Sequence, residues 1–223
     1  MEWLDFREPV SAWTHGIWFI LAFLATLLLW KAGRGDRLRQ VSLLMFGLSL
    51  IACYGGSLLY HAVGLPRALT EGWFAKADSI GIYLLIAGSI TPVALGVLQG
   101  AWQTITLASI WLVAAGGIAL RLIHGKIPSA LSTGLYLGMG WSIILCYFQL
   151  RQNLPPRGLR LAILGGLFYS VGAVINLFHW PIFRPGTFGA HELFHIFVMA
   201  GSSVHFWFIL KVVAPMERVE LVS

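Results

Sequence analysis

Charge is what this chain has least of. Asp, Glu, Lys and Arg make up only 11% of its 223 residues, under half the share usual in a soluble domain. So few charged groups cannot cover a water-exposed surface, and a soluble globular fold is excluded. Cysteine is almost missing as well. Cys53 and Cys146 both fall inside apolar runs, where a thiol is most simply a small hydrophobe, so no disulfide framework is implied. Acidic residues number 9 against 15 Lys and Arg, a net charge of +6. The basic residues are scattered through short loops rather than gathered on one face, which excludes nucleic acid as a partner and suits lipid headgroups. Ahead of the first apolar run stand Glu2, Asp5 and Glu8, without the positive n-region and small-residue cleavage site of a secretory signal, so the first run is expected to be retained.

What the chain has in quantity is apolar length. Hydrophobic residues reach 58% and the mean hydropathy is +0.79. Runs of about 18 residues or more recur from end to end, each long enough to cross roughly 30 Å of hydrocarbon as a helix. Gly, Pro and charge punctuation divides them into spans at about 14–31, 41–62, 79–98, 103–120, 130–149, 160–179 and 191–213. The expectation is an all-α, polytopic, seven-helix bundle: an N-terminal segment at 1–13, a transmembrane domain at 14–213 and a tail at 214–223. Two prolines and a glycine in Trp180-Pro-Ile-Phe-Arg-Pro-Gly end span 6 and leave Thr187 or a neighbour to start span 7. Trp13, Trp30, Trp102 and Trp180 fall near span ends, as an aromatic belt requires. Gly134-x-x-x-Gly138 and the pair Gly165-Gly166 are expected to let helices pack closely, and Pro92 to kink span 3.

Ionisable groups inside a bilayer cost about 2.5 to 3.5 kcal/mol at mid-span on insertion scales, so their placement is informative. Ser57 and His61 lie four apart at the end of span 2, Asp78 opens span 3, and His191 and His195 lie four apart at the start of span 7. Alternating span directions put all five on one membrane face. An i, i+4 pair shares a helix face, so His191 and His195 reach one ion together. His61 would complete a three-histidine set with a fourth position left to water, the arrangement of a catalytic zinc. Zinc so held lowers the pKa of its water toward about 7. Asp78 would orient that water or accept its proton, and Ser57 would hydrogen-bond a developing oxyanion.

Blander readings exist for each residue. Ser57 could bond the carbonyl of residue 53, and Asp78 could cap span 3 beside Lys76. His15, His124 and His179 read as headgroup or helix-end contacts. Glu192 sits about 100° around the helix from His191, so outer-sphere or surface duty is favoured over ligation. Haem is the rival metal group among seven histidines, but span 2 offers no second histidine to face His205.

These residues carry a resemblance that spans nearly the whole chain. Glu8 to Gly16 (EPVSAWTHG), Ser57-Leu-Leu-Tyr-His61, Asp78 with the following IYLLIAGSITP, Leu137-Gly-Met-Gly-Trp141, and His191-Glu-Leu-Phe-His195 followed by GSSVHF resemble the hemolysin III proteins, bacterial members of the progestin and adipoQ receptor superfamily that includes adiponectin receptors. The resemblance implies a seven-helix fold in the bacterial inner membrane, Zn2+ on His61, His191 and His195, and Asp78 and Ser57 beside the metal-bound water. The wider superfamily is similar to alkaline ceramidases, which implies hydrolysis of a lipid amide or related ester. Two other functions stand beside it: a non-catalytic regulator or receptor in which zinc staples span 7 to span 2, and, on the family name alone, a pore-forming cytolysin. The family pattern Glu-Glu-x-x-Asn before span 1 is here Glu8-Pro9-Val10-Ser11, which leaves that motif without an assigned role. The resemblance also implies a cytoplasmic N-terminus, whereas the basic residues number 6 on the N-terminal side and 9 on the other, against that orientation.

Overall fold

The computed structural model describes residues 8–62, 70–184 and 188–216. Hydrocarbon offers a backbone no hydrogen bonds, so a chain this apolar must satisfy its amides within helices. Seven helices are long and apolar enough to cross a membrane: α1 (Pro9–Ala32), α2 (Arg37–Ala62), α3 (Ala75–Val97), α4 (Gly100–His124), α5 (Ser129–Asn153), α6 (Pro156–Phe178) and α7 (Ala190–Phe208). The described residues form no strand, only an isolated bridge between Arg184 and Phe188. This is an integral membrane protein, as the run lengths require. The boundaries move outward by several residues: α1 opens at Pro9, whose missing N–H suits a first helical turn. The expected start of span 7 at Thr187 and the expected break at Pro66 and Arg67 lie outside the described residues. Trp13, Trp30, Trp102 and Trp180 are all exposed.

Hydroxyl groups inside the spans are mostly self-satisfied. Thr26 donates to the Ala22 carbonyl at 2.6 Å, Ser49 to Phe46 at 2.7 Å, Thr91 to Ala87 at 2.8 Å and Ser170 to Gly166 at 2.8 Å, bonds that remove a polar group from lipid without a partner helix. Cys53 and Cys146 are buried free thiols, as expected.

Close packing is concentrated where α2 meets α3. A methyl group at Gly81 would lie 2.6 Å from the Cα of Cys53, and one at Gly56 would lie 2.8 Å from the Ala77 carbonyl oxygen. The two backbones touch there, and small residues are what permit it. Gly165 packs against the His205 ring, and Gly166 meets Trp141, in agreement with expectation. Gly134 and Gly138 do not: nothing lies within 4 Å of a side chain built at either, because that face of α5 points outward. The spacing is right, but the face is away from the bundle.

His205 donates from Nε2–H to the Ala162 carbonyl, 3.1 Å away on α6, which commits the ring to a helix contact. Replacing it with alanine removes this bond and the ring that fills the space over Gly165. The expected cost is about 2 kcal/mol, seen as a lower melting temperature of the detergent-solubilised protein.

Helix α5 forms one wall of an internal cavity. It relaxes into a 3-10 stretch over Ser142–Cys146, and its buried residues are Met139, Cys146 and Leu150. Behind it, α1, α2, α3, α5, α6 and α7 surround a cavity of about 380 Å³, lined largely by aliphatic and aromatic side chains such as Leu85, Ile86, Val93 and Phe208.

Candidate metal centre

The upper end of that cavity is polar. Because α2 ends where α3 and α7 begin, His61 comes down one helix to meet His191 and His195 coming up another. Each offers one ring nitrogen, and the three nitrogens lie within 4.8 Å of one another. The ring centroids stand 5.2 Å apart for His61 and His191, 4.8 Å for His61 and His195, and 4.4 Å for His191 and His195. A tetrahedral ion with bonds of about 2.1 Å brings its nitrogens to roughly 3.4 Å, so the rings would close in slightly around a bound ion. His61 and His195 are buried at 0% and 3% exposure, and His191 is half-buried.

Among the described residues, His61 (at both ring nitrogens) and His195 (at Nδ1) are enclosed with no hydrogen-bond partner. Buried imidazole nitrogens left in this condition are costly, and a cation removes the cost at both. The residues present therefore fit a metal ion.

Asp78 and Ser57 are brought to the same place. Asp78 stands in the first turn of α3 rather than at its cap, which is Phe74. Ser57 is fully buried, makes no bond back to the Cys53 carbonyl, and lies beside the Asp78 carboxylate. Both line the cavity, together with His15 and His195. The contact at Gly56 and Gly81 fixes this: it presses the start of α3 onto α2 next to Ser57. Lys76 is turned away, donating to the Leu122 carbonyl at 3.1 Å.

Around the histidines stand groups that hold the rings. Asn176 Oδ1 on α6 lies 3.3 Å from His191 Nδ1. Glu192 accepts from the Gly189 N–H at 2.7 Å and thereby caps α7. Glu8 reaches His61 Nδ1 at 2.8 Å, although the N-terminal motif had no assigned role.

His15 corrects the sequence reading. It is not a headgroup contact: it is 4% exposed, its ring stacks on His195 at 4.0 Å, and Tyr54 meets it edge-on at 5.3 Å. The signal was present in the spacing, since Glu8, Ser11 and His15 fall at i, i+3 and i+7 on one face of α1. His124 and His179 do lie exposed at helix ends.

A helical membrane bundle with three imidazoles converging at one end of an apolar cavity defines a polytopic protein with a potential metal centre. The chain belongs to the haemolysin-III-related family, whose family model matches residues 5–206. It is 35% identical to Hemolysin-3 of Bacillus cereus over 211 residues, 94% of this chain and 93% of that one. It is 34% identical to a Hemolysin-3 homolog of Bacillus subtilis (strain 168) over 206 residues, 92% and 93% of the two chains. A more distant relative is the Adiponectin receptor protein of Drosophila melanogaster, 26% identical over 221 residues, 89% of this chain and 49% of that protein.

Proposed function

We propose that this protein is a zinc-dependent hydrolase of a membrane lipid, acting on an amide or related ester bond within the bacterial cytoplasmic membrane. The observation that carries the reading is the meeting of three histidines, Asp78 and Ser57 at the polar end of a long apolar cavity. A three-imidazole set suits Zn2+ and leaves a coordination position that water can take. When bound, zinc supplies Lewis acidity and brings a coordinated water toward neutral pKa. Asp78 would orient the attacking water and take its proton, and Ser57 would donate a hydrogen bond to the carbonyl oxygen as negative charge builds on it. The cavity, about 380 Å³ and mostly apolar, has the size and lining of a ligand site and suits an acyl chain while opposing the passage of ions, which weighs against a pore-forming role.

The test is turnover by the purified chain in nanodiscs, with long-chain ceramides and phospholipids offered in turn and products followed by mass spectrometry. Release of fatty acid that stops on chelation is expected. The Asp78→Asn variant should retain about one zinc per chain and lose about a hundredfold in rate. Absence of zinc-dependent product from every lipid class would sink the hydrolase and favour zinc as a staple between α7 and α2.

A further inference from the structure

Glu8 holds the N-cap position of α1, where an acidic side chain ordinarily accepts a bond from an amide of the first turn. It makes no such bond. Its carboxylate instead leaves the helix: Oε2 lies 2.8 Å from Nδ1 of His61 and 3.7 Å from Nε2 of His191. The backbone of the same residue makes a second contact, its N–H donating to the His61 carbonyl at 3.4 Å. That carbonyl is one of those α2 leaves open at its C-terminal end. Main chain and side chain of one residue thus clasp the main chain and side chain of another, across two helices. His61 is wholly enclosed, so solvent has no access to orient its ring.

We propose that Glu8 is the outer-sphere carboxylate of the metal centre. With the ion bound, His61 Nδ1–H would turn in line with Glu8 Oε2, 2.8 Å away; the tautomer fixed in this way leaves Nε2 for the ion, and the charge on Glu8 makes the imidazole a better donor. The inference rests on the reading that the three histidines hold a metal. It adds a consequence: metal binding is coupled to the docking of the start of α1 on the end of α2. Coupling of this kind is reciprocal, so the ion tightens the clasp by the same factor that the clasp tightens the ion.

The test uses the full-length chain in detergent, titrated with zinc against a competing chelator, for the wild type and for Glu8→Ala, Glu8→Gln and Glu192→Gln. Glu8→Ala should raise the zinc Kd by about 10- to 100-fold. Glu8→Gln should fall between, since its amide oxygen still accepts from Nδ1–H but carries no charge. Glu192→Gln, a charge change on a residue committed to capping α7, should stay within about threefold of the wild type on the same reasoning. A second readout is amide exchange in the first turns of α1: zinc should slow it in the wild type and have no effect in Glu8→Ala. Wild-type zinc binding with an unchanged Kd in Glu8→Ala overturns this inference alone, as does an equal loss in Glu192→Gln. Failure of the wild type to bind zinc overturns the metal reading and the role of Glu8 with it.

Discussion

Replacement of His195 by alanine is expected to abolish stoichiometric metal binding. With a total binding free energy of roughly 12 kcal/mol shared among three imidazoles, loss of one removes about 4 kcal/mol, on the order of a thousandfold in affinity. His195 is nearly fully buried and also carries the stacked ring of His15. The truncation therefore leaves a void next to two other imidazoles. Elemental analysis of the purified variant should give far less than one zinc per chain, and its melting temperature should no longer respond to chelator. A variant that keeps full occupancy would mean that the ion, if any, sits elsewhere.

The second large effect is structural and comes from a residue with no functional group. Gly81→Ala places a methyl 2.6 Å from the Cα of Cys53, backbone against side chain, with nothing flexible to move aside. The expected cost is about 3 kcal/mol, a fall on the order of 10 °C in melting temperature, with Gly81→Val failing to accumulate as folded protein. Gly134→Ala is the contrast. It meets open space and gains helix propensity, so it should be neutral or stabilising by up to about 1 kcal/mol. Fluorescence-detected melting of the three variants checks the set. Equal behaviour of the Gly81 and Gly134 variants would show that α2 and α3 are not in backbone contact.

The residue types explain which parts of this architecture were legible in advance. Spans are set by length and solvent, so hydropathy located all seven and missed only the ends, where Pro9 and Pro156 begin helices earlier than the apolar runs do. His191 and His195 were legible because four residues is slightly more than one helical turn, and His61 because alternating spans return to the same face. Their convergence needed no knowledge of which helices are neighbours. Packing partners did need it. Gly134 and Gly138 carry the same signature as glycines that touch a neighbouring helix, and sequence spacing does not say which way a face points. His15 was misread for a related reason: a histidine near a span end is equally well placed for headgroups or for the bundle interior. Only its register with Glu8 and Ser11 separates the two. The 3-10 stretch at Ser142–Cys146 follows no proline or charge and had no local sign.

Two of the three imidazoles belong to α7, the seventh span. A ribosome that has delivered six spans has produced a chain with His61 alone, which has no useful grip on a cation. If the cluster holds an ion, its grip waits for α7, and chains truncated before residue 191 should emerge metal-free however well their earlier helices assemble.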